Sequence, residues 1–174
     1  MSMVLREELS EGIVAITLNR PESLNALSPA LFSELNQIVT ELSKQTDSVG
    51  CVILRGAGRC FSAGNDLKAV RSGVKAKEKF FQAKTIDLIE KLPQPTIASV
   101  HGHCLTGALE LALACDLMIT SESANLADTH GKWGMVPGWG MSVRLPKRVG
   151  LLKAKEMMFT GMSINGLQAV EIGL

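Results

Sequence analysis

The chain has 174 residues, 46% apolar and 20% charged, with 18 Lys and Arg against 17 Asp and Glu. That is room for one domain with a sizeable core and short for two. A formal net charge of +1 gives no electrostatic case for a nucleic acid, a membrane surface or a polyanionic partner.

In chain order, Ile13–Leu18 alternates, with Ile13, Ala15 and Thr17 on one face and Val14, Ile16 and Leu18 on the other. With Ser10-Glu11-Gly12 as the turn, Val4–Glu8 and Ile13–Leu18 read as a hairpin. Ser28 then Pro29 has the form of an N-cap and a first helical residue. Leu31, Phe32, Leu35, Ile38, Val39 and Leu42 recur at helical spacing, which predicts an amphipathic helix over 29–45. A short strand at Cys51–Arg55 leads into a glycine-bearing loop over 56–67. A basic stretch follows, with Lys68, Arg71, Lys75, Lys77 and Lys79, and the apolar spacing then predicts a helix over 77–91. Pro93-Gln94-Pro95 breaks that helix, and Thr96–Val100 reads as a strand. Gly102–Thr106 reads as a turn into a small-residue helix at Gly107–Cys115, followed by strands at Leu117–Thr120 and Asn125–Ala127. A glycine-rich loop over 133–140 precedes helices near 141–148 and 151–159, and another helix begins after Ser163-Ile164-Asn165-Gly166. The expectation is a single α/β domain over 1–174. The last helix has few residues left to cover it, so the sequence reads as cut short.

No apolar run reaches the roughly 18 residues that span a bilayer. Neither the acid-bearing start, Met1 to Glu8, nor the end, Glu171-Ile172-Gly173-Leu174, has the form of a targeting signal. Cys51, Cys60, Cys104 and Cys115 show no CxxC and no zinc-like spacing. Cys51, Cys104 and Cys115 sit in apolar runs and read as small buried hydrophobes, so a reducing cytoplasm is the expected setting.

Few segments look equipped for chemistry. Gly56-Ala57-Gly58 follows a strand, but Phe61 stands where a dinucleotide fingerprint needs its third glycine, and no GxxxxGK[ST] occurs. Glu110 is alone among Gly107-Ala108-Leu109 and Leu111-Ala112-Leu113-Ala114. Burying an unpaired carboxylate is costly, so it must be exposed, paired, or held with a raised pKa. As a surface residue it needs no further account; in a cleft it is a general acid or base. Gly107 at the start of that helix lets backbone approach a ligand, and the turn Ala63-Gly64-Asn65-Asp66 is a second such place. Two N–H groups converging from these loops make an oxyanion hole, whereas taken separately each is simply a turn. His130, in Asp128-Thr129-His130-Gly131, reads either as a hydrogen-bonded loop histidine or as a proton carrier. His101 and His103 read as structural, and no metal site is expected. Lys68 and Arg71 fit a phosphate or a solvated helix face equally well.

Five stretches together resemble the crotonase (enoyl-CoA hydratase/isomerase) superfamily. They are Asn19-Arg20-Pro21 with Asn25-Ala26-Leu27; Phe61-Ser62-Ala63-Gly64-Asn65-Asp66-Leu67; Pro95-Thr96-Ile97-Ala98 before Gly102; Gly107-Ala108-Leu109-Glu110-Leu111-Ala112 with Cys115-Asp116; and Gly134 to Gly140. The resemblance implies a spiral of ββα units with two near-perpendicular sheets and flanking helices, assembled as a homotrimer or hexamer. It implies an acyl-CoA substrate, no separate cofactor since CoA is part of that substrate, and addition of water to 2-trans-enoyl-CoA thioesters. Isomerisation or decarboxylation of an acyl-CoA, and a non-catalytic acyl-CoA-binding paralogue, are the alternatives. Carried over residue by residue, the oxyanion donors fall on the backbone of Asn65 and Gly107. Asn65 stands where alanine is common. Ala63, Asp66, Leu67 and Lys68 line the CoA channel, and Glu110 matches the first catalytic glutamate. The second glutamate is replaced by His130, which as an acid/base takes over the proton at the α-carbon. The family's further C-terminal helices have no counterpart in these 174 residues.

Overall fold

Strand β1 (Val4–Ser10) and strand β2 (Ile13–Leu18) pair antiparallel, Val4 opposite Leu18, with a register shift between Glu8 and Ser10. β2 is buried along almost its whole length, whereas β1 is exposed beyond Val4 and carries Arg6, Glu7 and Glu8 along the sheet edge. The computed structural model describes residues 2–74 and 76–174; Met1 and Lys75, the latter one of the cations of the basic stretch, lie outside the described residues.

Helix α1 (Pro29–Leu42) starts as its cap predicts, with Ser28 Oγ accepting from the Leu31 N–H at 3.2 Å. It buries Leu31, Phe32, Leu35, Val39 and Leu42 and ends three residues earlier than the apolar spacing predicts, capped at Ser43. Strand β3 (Cys51–Gly56) leads to helix α2 (Leu67–Arg71), one short turn N-capped by Asp66. Helix α3 (Phe81–Glu90) begins later than the expected 77, because Phe80 adopts left-handed φ 63° at its N-cap. Strand β4 (Thr96–Val100) follows as predicted.

The expected turn at 102–106 contains strand β5 (His103–Leu105), which precedes helix α4 (Gly107–Ala112). α4 stops short of Cys115 in tighter bonds, Ala114 N–H to Leu111 O and Cys115 N–H to Ala112 O. Strand β6 (Leu117–Thr120), strand β7 (Asn125–Ala127), helix α5 (Met141–Val149), helix α6 (Leu151–Thr160) and strand β8 (Ser163–Ile164) complete the main body. Helix α7 (Gly166–Glu171) opens on a capping box between Asn165 and Gln168.

The larger sheet has the order β1-β2-β3-β4-β6, parallel after the first hairpin; the smaller has the order β5-β7-β8. From β3 onward, each strand of the large sheet hands the chain towards the small one. β3 is followed by Ser62, which bridges Cys104; β4 is followed by β5; β6 is followed by β7, parallel to β5. This repeat is the expected spiral of strand pairs with helices outside. Between the layers lie Ile16, Leu18, Leu31, Phe32, Leu35, Phe61, Leu109, Leu111 and Leu126, all almost wholly buried. Cys60, Cys104 and Cys115 are buried free thiols, and burial pushes Cys115 up to about 12; Cys51 is only half-buried. Among the described residues no helix is long and apolar enough to cross a membrane.

Candidate active site

Every residue of α4 is buried, and Glu110 is 1% exposed. A carboxylate there needs partners. Glu110 Oε1 accepts from the backbone N–H groups of Trp139 at 2.7 Å, in the loop before α5, and Met141 at 3.0 Å, the first residue of α5. Burial pushes the carboxyl pKa up; those two bonds and the neighbouring His130 work against the rise, and Asp128 adds to it. Of the three alternatives open in the sequence, the exposed one is eliminated.

His130 opens a 3₁₀ turn that runs to Trp133, and it is buried. Its Nε2 lies 3.7 Å from Glu110 Oε2, and its Nδ1 lies 2.5 Å from Asp128 Oδ1. The expected pair of titratable side chains is thus one cluster of three, Glu110, His130 and Asp128.

The turn before α4 is strained. Thr106 sits at φ 56°, ψ −111°, a conformation costing about 1–3 kcal/mol. It is held by its N–H, which donates to Ala127 O at 2.7 Å, and by its hydroxyl against that of Thr129. Gly107 follows, and there is no room for a side chain: a Cβ would stand 2.4 Å from Cζ3 of Trp139. The other turn meets this one at Gly64, whose φ is 96° and whose Cβ position is 2.5 Å from Leu105 O and 3.6 Å from the Gly107 nitrogen. Around Asn65, the Leu27 N–H donates to Gly64 O and the Asp66 N–H donates to Leu27 O. Among the described residues neither the Asn65 N–H nor the Gly107 N–H has a hydrogen-bond acceptor. Asn65, Gly107, Glu110 and His130 all line one cavity of about 140 Å³, with Trp139 and Met135 among its walls.

A second cavity of about 430 Å³ is lined by Ala63, Asn65, Asp66, Leu67 and Lys68, and also by Arg20 and Arg59. Asp66 has two tasks at its wall. Its Oδ1 caps α2 by accepting from the Lys68 and Ala69 N–H groups, and its Oδ2 accepts from Arg20 Nη1 at 2.9 Å. Partial burial raises its carboxyl, but Arg20 and the two N–H groups outweigh that and hold it below the usual carboxylate range.

The residues singled out in the sequence line these two cavities, and sequence reasoning missed others. In the sequence Arg20 has a place only within a motif and Arg59 only within the loop over 56–67, neither with a role. Arg144 was invisible. It is buried in α5, donates from Nη1 to Trp139 O at 2.7 Å, and from Nη2 to Asp87 at 2.6 Å and Glu90 at 2.7 Å on α3. The Nε2 of His101 lies 2.9 Å from Gly58 O.

The sequence model of enoyl-CoA hydratase/isomerase matches residues 8–174. An enoyl-CoA isomerase/hydratase of Mycosarcoma maydis is 38% identical over 174 residues, covering 94% of this chain and 64% of that protein. The mitochondrial enoyl-CoA hydratase domain-containing protein 2 of Mus musculus is 38% identical over 169 residues, 95% of this chain and 57% of its own length. Among solved structures, an enoyl-CoA hydratase of Bacillus anthracis superposes with a TM-score of 0.90 at 38% identity, covering 98% of this chain and 67% of that one. The chain spans 57–65% of the length of the curated relatives it matches.

Proposed function

The chain belongs to the enoyl-CoA hydratase/isomerase family, and from that premise we propose that it acts on acyl-CoA thioesters, adding water across a 2-trans-enoyl-CoA. The observation that carries this reading is the one small cavity shared by two acceptor-free backbone amides, a buried carboxyl and a histidine. In this reading the thioester oxygen accepts from the Asn65 and Gly107 N–H groups, which stabilise the enolate as charge develops; one such donor is worth about 3 kcal/mol in the transition state. Glu110 orients and deprotonates the water, and His130 delivers or accepts the proton at the α-carbon. The 3.7 Å between Glu110 Oε2 and His130 Nε2 is too long for a direct hydrogen bond and suits a shared water or substrate group. A proton taken by one side chain returns to the other across that gap, so each turnover leaves the pair as it began. No cofactor is needed beyond CoA, the handle of the substrate.

The larger cavity supports a CoA channel over Ala63, Asp66, Leu67 and Lys68, with Arg20 and Arg59 beside it as cations. Residues 1–174 then act as one acyl-CoA-binding domain. A trimeric or hexameric assembly is supported by large apolar side chains left exposed, among them Leu117 and Ile119 on edge strand β6. Four free thiols support a cytoplasmic setting.

The test is loss of enoyl-thioester absorbance on mixing crotonyl-CoA with the protein. Turnover is expected, and Glu110→Gln should lower kcat by about 10²–10⁴-fold while binding persists. Saturable binding without turnover favours the non-catalytic reading, and unchanged turnover in Glu110→Gln removes this carboxyl from the mechanism. A shifted double bond among the products favours isomerisation, which uses the same enolate.

A further inference from the structure

Asp128 stands one residue past the end of β7 and is 1% exposed, a place where a carboxylate needs a reason. Among the described residues, both hydrogen bonds of its side chain go to His130. Its Oδ1 accepts from the His130 backbone N–H at 3.1 Å and meets the ring Nδ1 at 2.5 Å. With Asp128 as a carboxylate, which has only lone pairs to offer, the proton of that short contact is on Nδ1. The other ring nitrogen, Nε2, then faces Glu110 Oε2 across 3.7 Å, inside the cavity that Asn65 and Gly107 share.

The segment that carries Asp128 is fixed from both sides by Thr106. Ala127 O accepts the Thr106 N–H at 2.7 Å, and the Thr129 N–H donates to Thr106 Oγ1 at 3.3 Å. The turn that aims the Gly107 N–H therefore also anchors the segment bearing Asp128.

We infer that Asp128 is a positioning residue: through Nδ1 it holds the His130 ring so that Nε2 is the nitrogen that takes up and releases the substrate proton. This rests on the hydratase reading for which proton is carried, but not for which nitrogen carries it. When the ring is charged, Asp128 on one side and Glu110 on the other balance it. When Nε2 gives its proton to the α-carbon, Nδ1–H stays with Asp128. Nε2 is reloaded from the Glu110 carboxyl, which has taken its proton from the attacking water. The water adds as hydroxyl and proton, and the three side chains end as they started.

Two measurements test this. In ¹⁵N-edited NMR of the native protein, the neutral His130 ring should carry its proton on Nδ1; a ring protonated on Nε2 alone overturns the inference without any variant. Asp128→Asn keeps the shape and the acceptor but removes the charge. It should lower kcat for crotonyl-CoA at least about tenfold with KM changed by less than about threefold, within the range that acid–base groups contribute. In a His130→Ala background the same substitution should have no further effect on kcat, because Asp128 acts through the ring. Equal losses with and without His130 make Asp128 merely structural and overturn the inference. If the native protein binds crotonyl-CoA without turning it over, the hydratase reading fails, and the ring spectrum alone decides the role of Asp128.

Discussion

Glu110 carries its charge against its surroundings, and the direction of that conflict can be measured. Its carboxyl is raised by burial, so the folded state favours the protonated form more than the unfolded chain does. The stabilisation from this group is complete below the unfolded carboxyl's pKa and is lost as pH climbs through the raised folded value. Glu110→Gln has nothing to ionise, and its amide oxygen can still accept from Trp139 and Met141. Thermal melts should therefore show the variant gaining on the native protein as pH rises past the ordinary carboxylate range; a loss over that rise contradicts the raised carboxyl. At Gly107 the constraint is space. Gly107→Ala would drive a methyl into the Trp139 ring, which also packs edge-on against Phe32 at 5.0 Å between centroids. Overpacking of this kind costs about 1–3 kcal/mol, and it displaces the N–H that holds Glu110. Steady-state kinetics on crotonyl-CoA should find kcat/KM reduced at least about tenfold, with a lower Tm. The sequence exposed Glu110 and His130 because each is polar in an unsuitable or loop-borne setting. It gave Asp128 no role beyond standing near His130, since a contact closed by one two-residue turn has no periodic signature.

At the scale of elements, α5 links the acid-bearing face of α3 to the loop over Glu110. Arg144 makes that link, with 6% of its side chain exposed, while its partners Asp87 and Glu90 are 50% and 44% exposed. Removing the guanidinium leaves two carboxylates that water can reach, so the loss is that of charged hydrogen bonds and not of a stranded buried charge. Arg144→Ala should cost about 1–3 kcal/mol in denaturant unfolding, and Arg144→Lys should recover little, because one ammonium cannot serve Trp139 O and both acids. If the lysine variant is fully stable, the fork geometry is irrelevant. Elements whose apolar pattern is self-sufficient, such as Thr96–Val100 and Leu117–Thr120, were legible to the residue. β5 was not: three residues, His-Cys-Leu, carry no period, and they are a strand only because Asn125–Ala127 lies alongside. Arg144 was hidden for a similar reason, its partners being 54 and 57 residues away in the chain.

For the whole molecule, the spiral matters because it brings distant turns to one place. Ser62 and Cys104 bridge where the small sheet begins, and this sets the loop of Asn65 beside the loop of Gly107. A ligand filling both cavities engages the folded chain and not the unfolded one. At a concentration 100-fold above Kd it should stabilise the fold by about 2.7 kcal/mol, a rise in Tm of about 5–10 °C for a domain of this size. Differential scanning fluorimetry with acetyl-CoA checks this, and an unmoved Tm at saturating ligand argues against binding to the native state. Asn65 belongs to the walls of both chambers. On the proposed reading, a grip on the CoA end would be transmitted, through a single peptide unit, to the amide facing the thioester carbonyl. Crotonyl-N-acetylcysteamine, which keeps the reactive end and discards the tail, should then suffer in speed and not only in affinity: anchoring energy gathered far from the double bond is what brings the carbonyl into register.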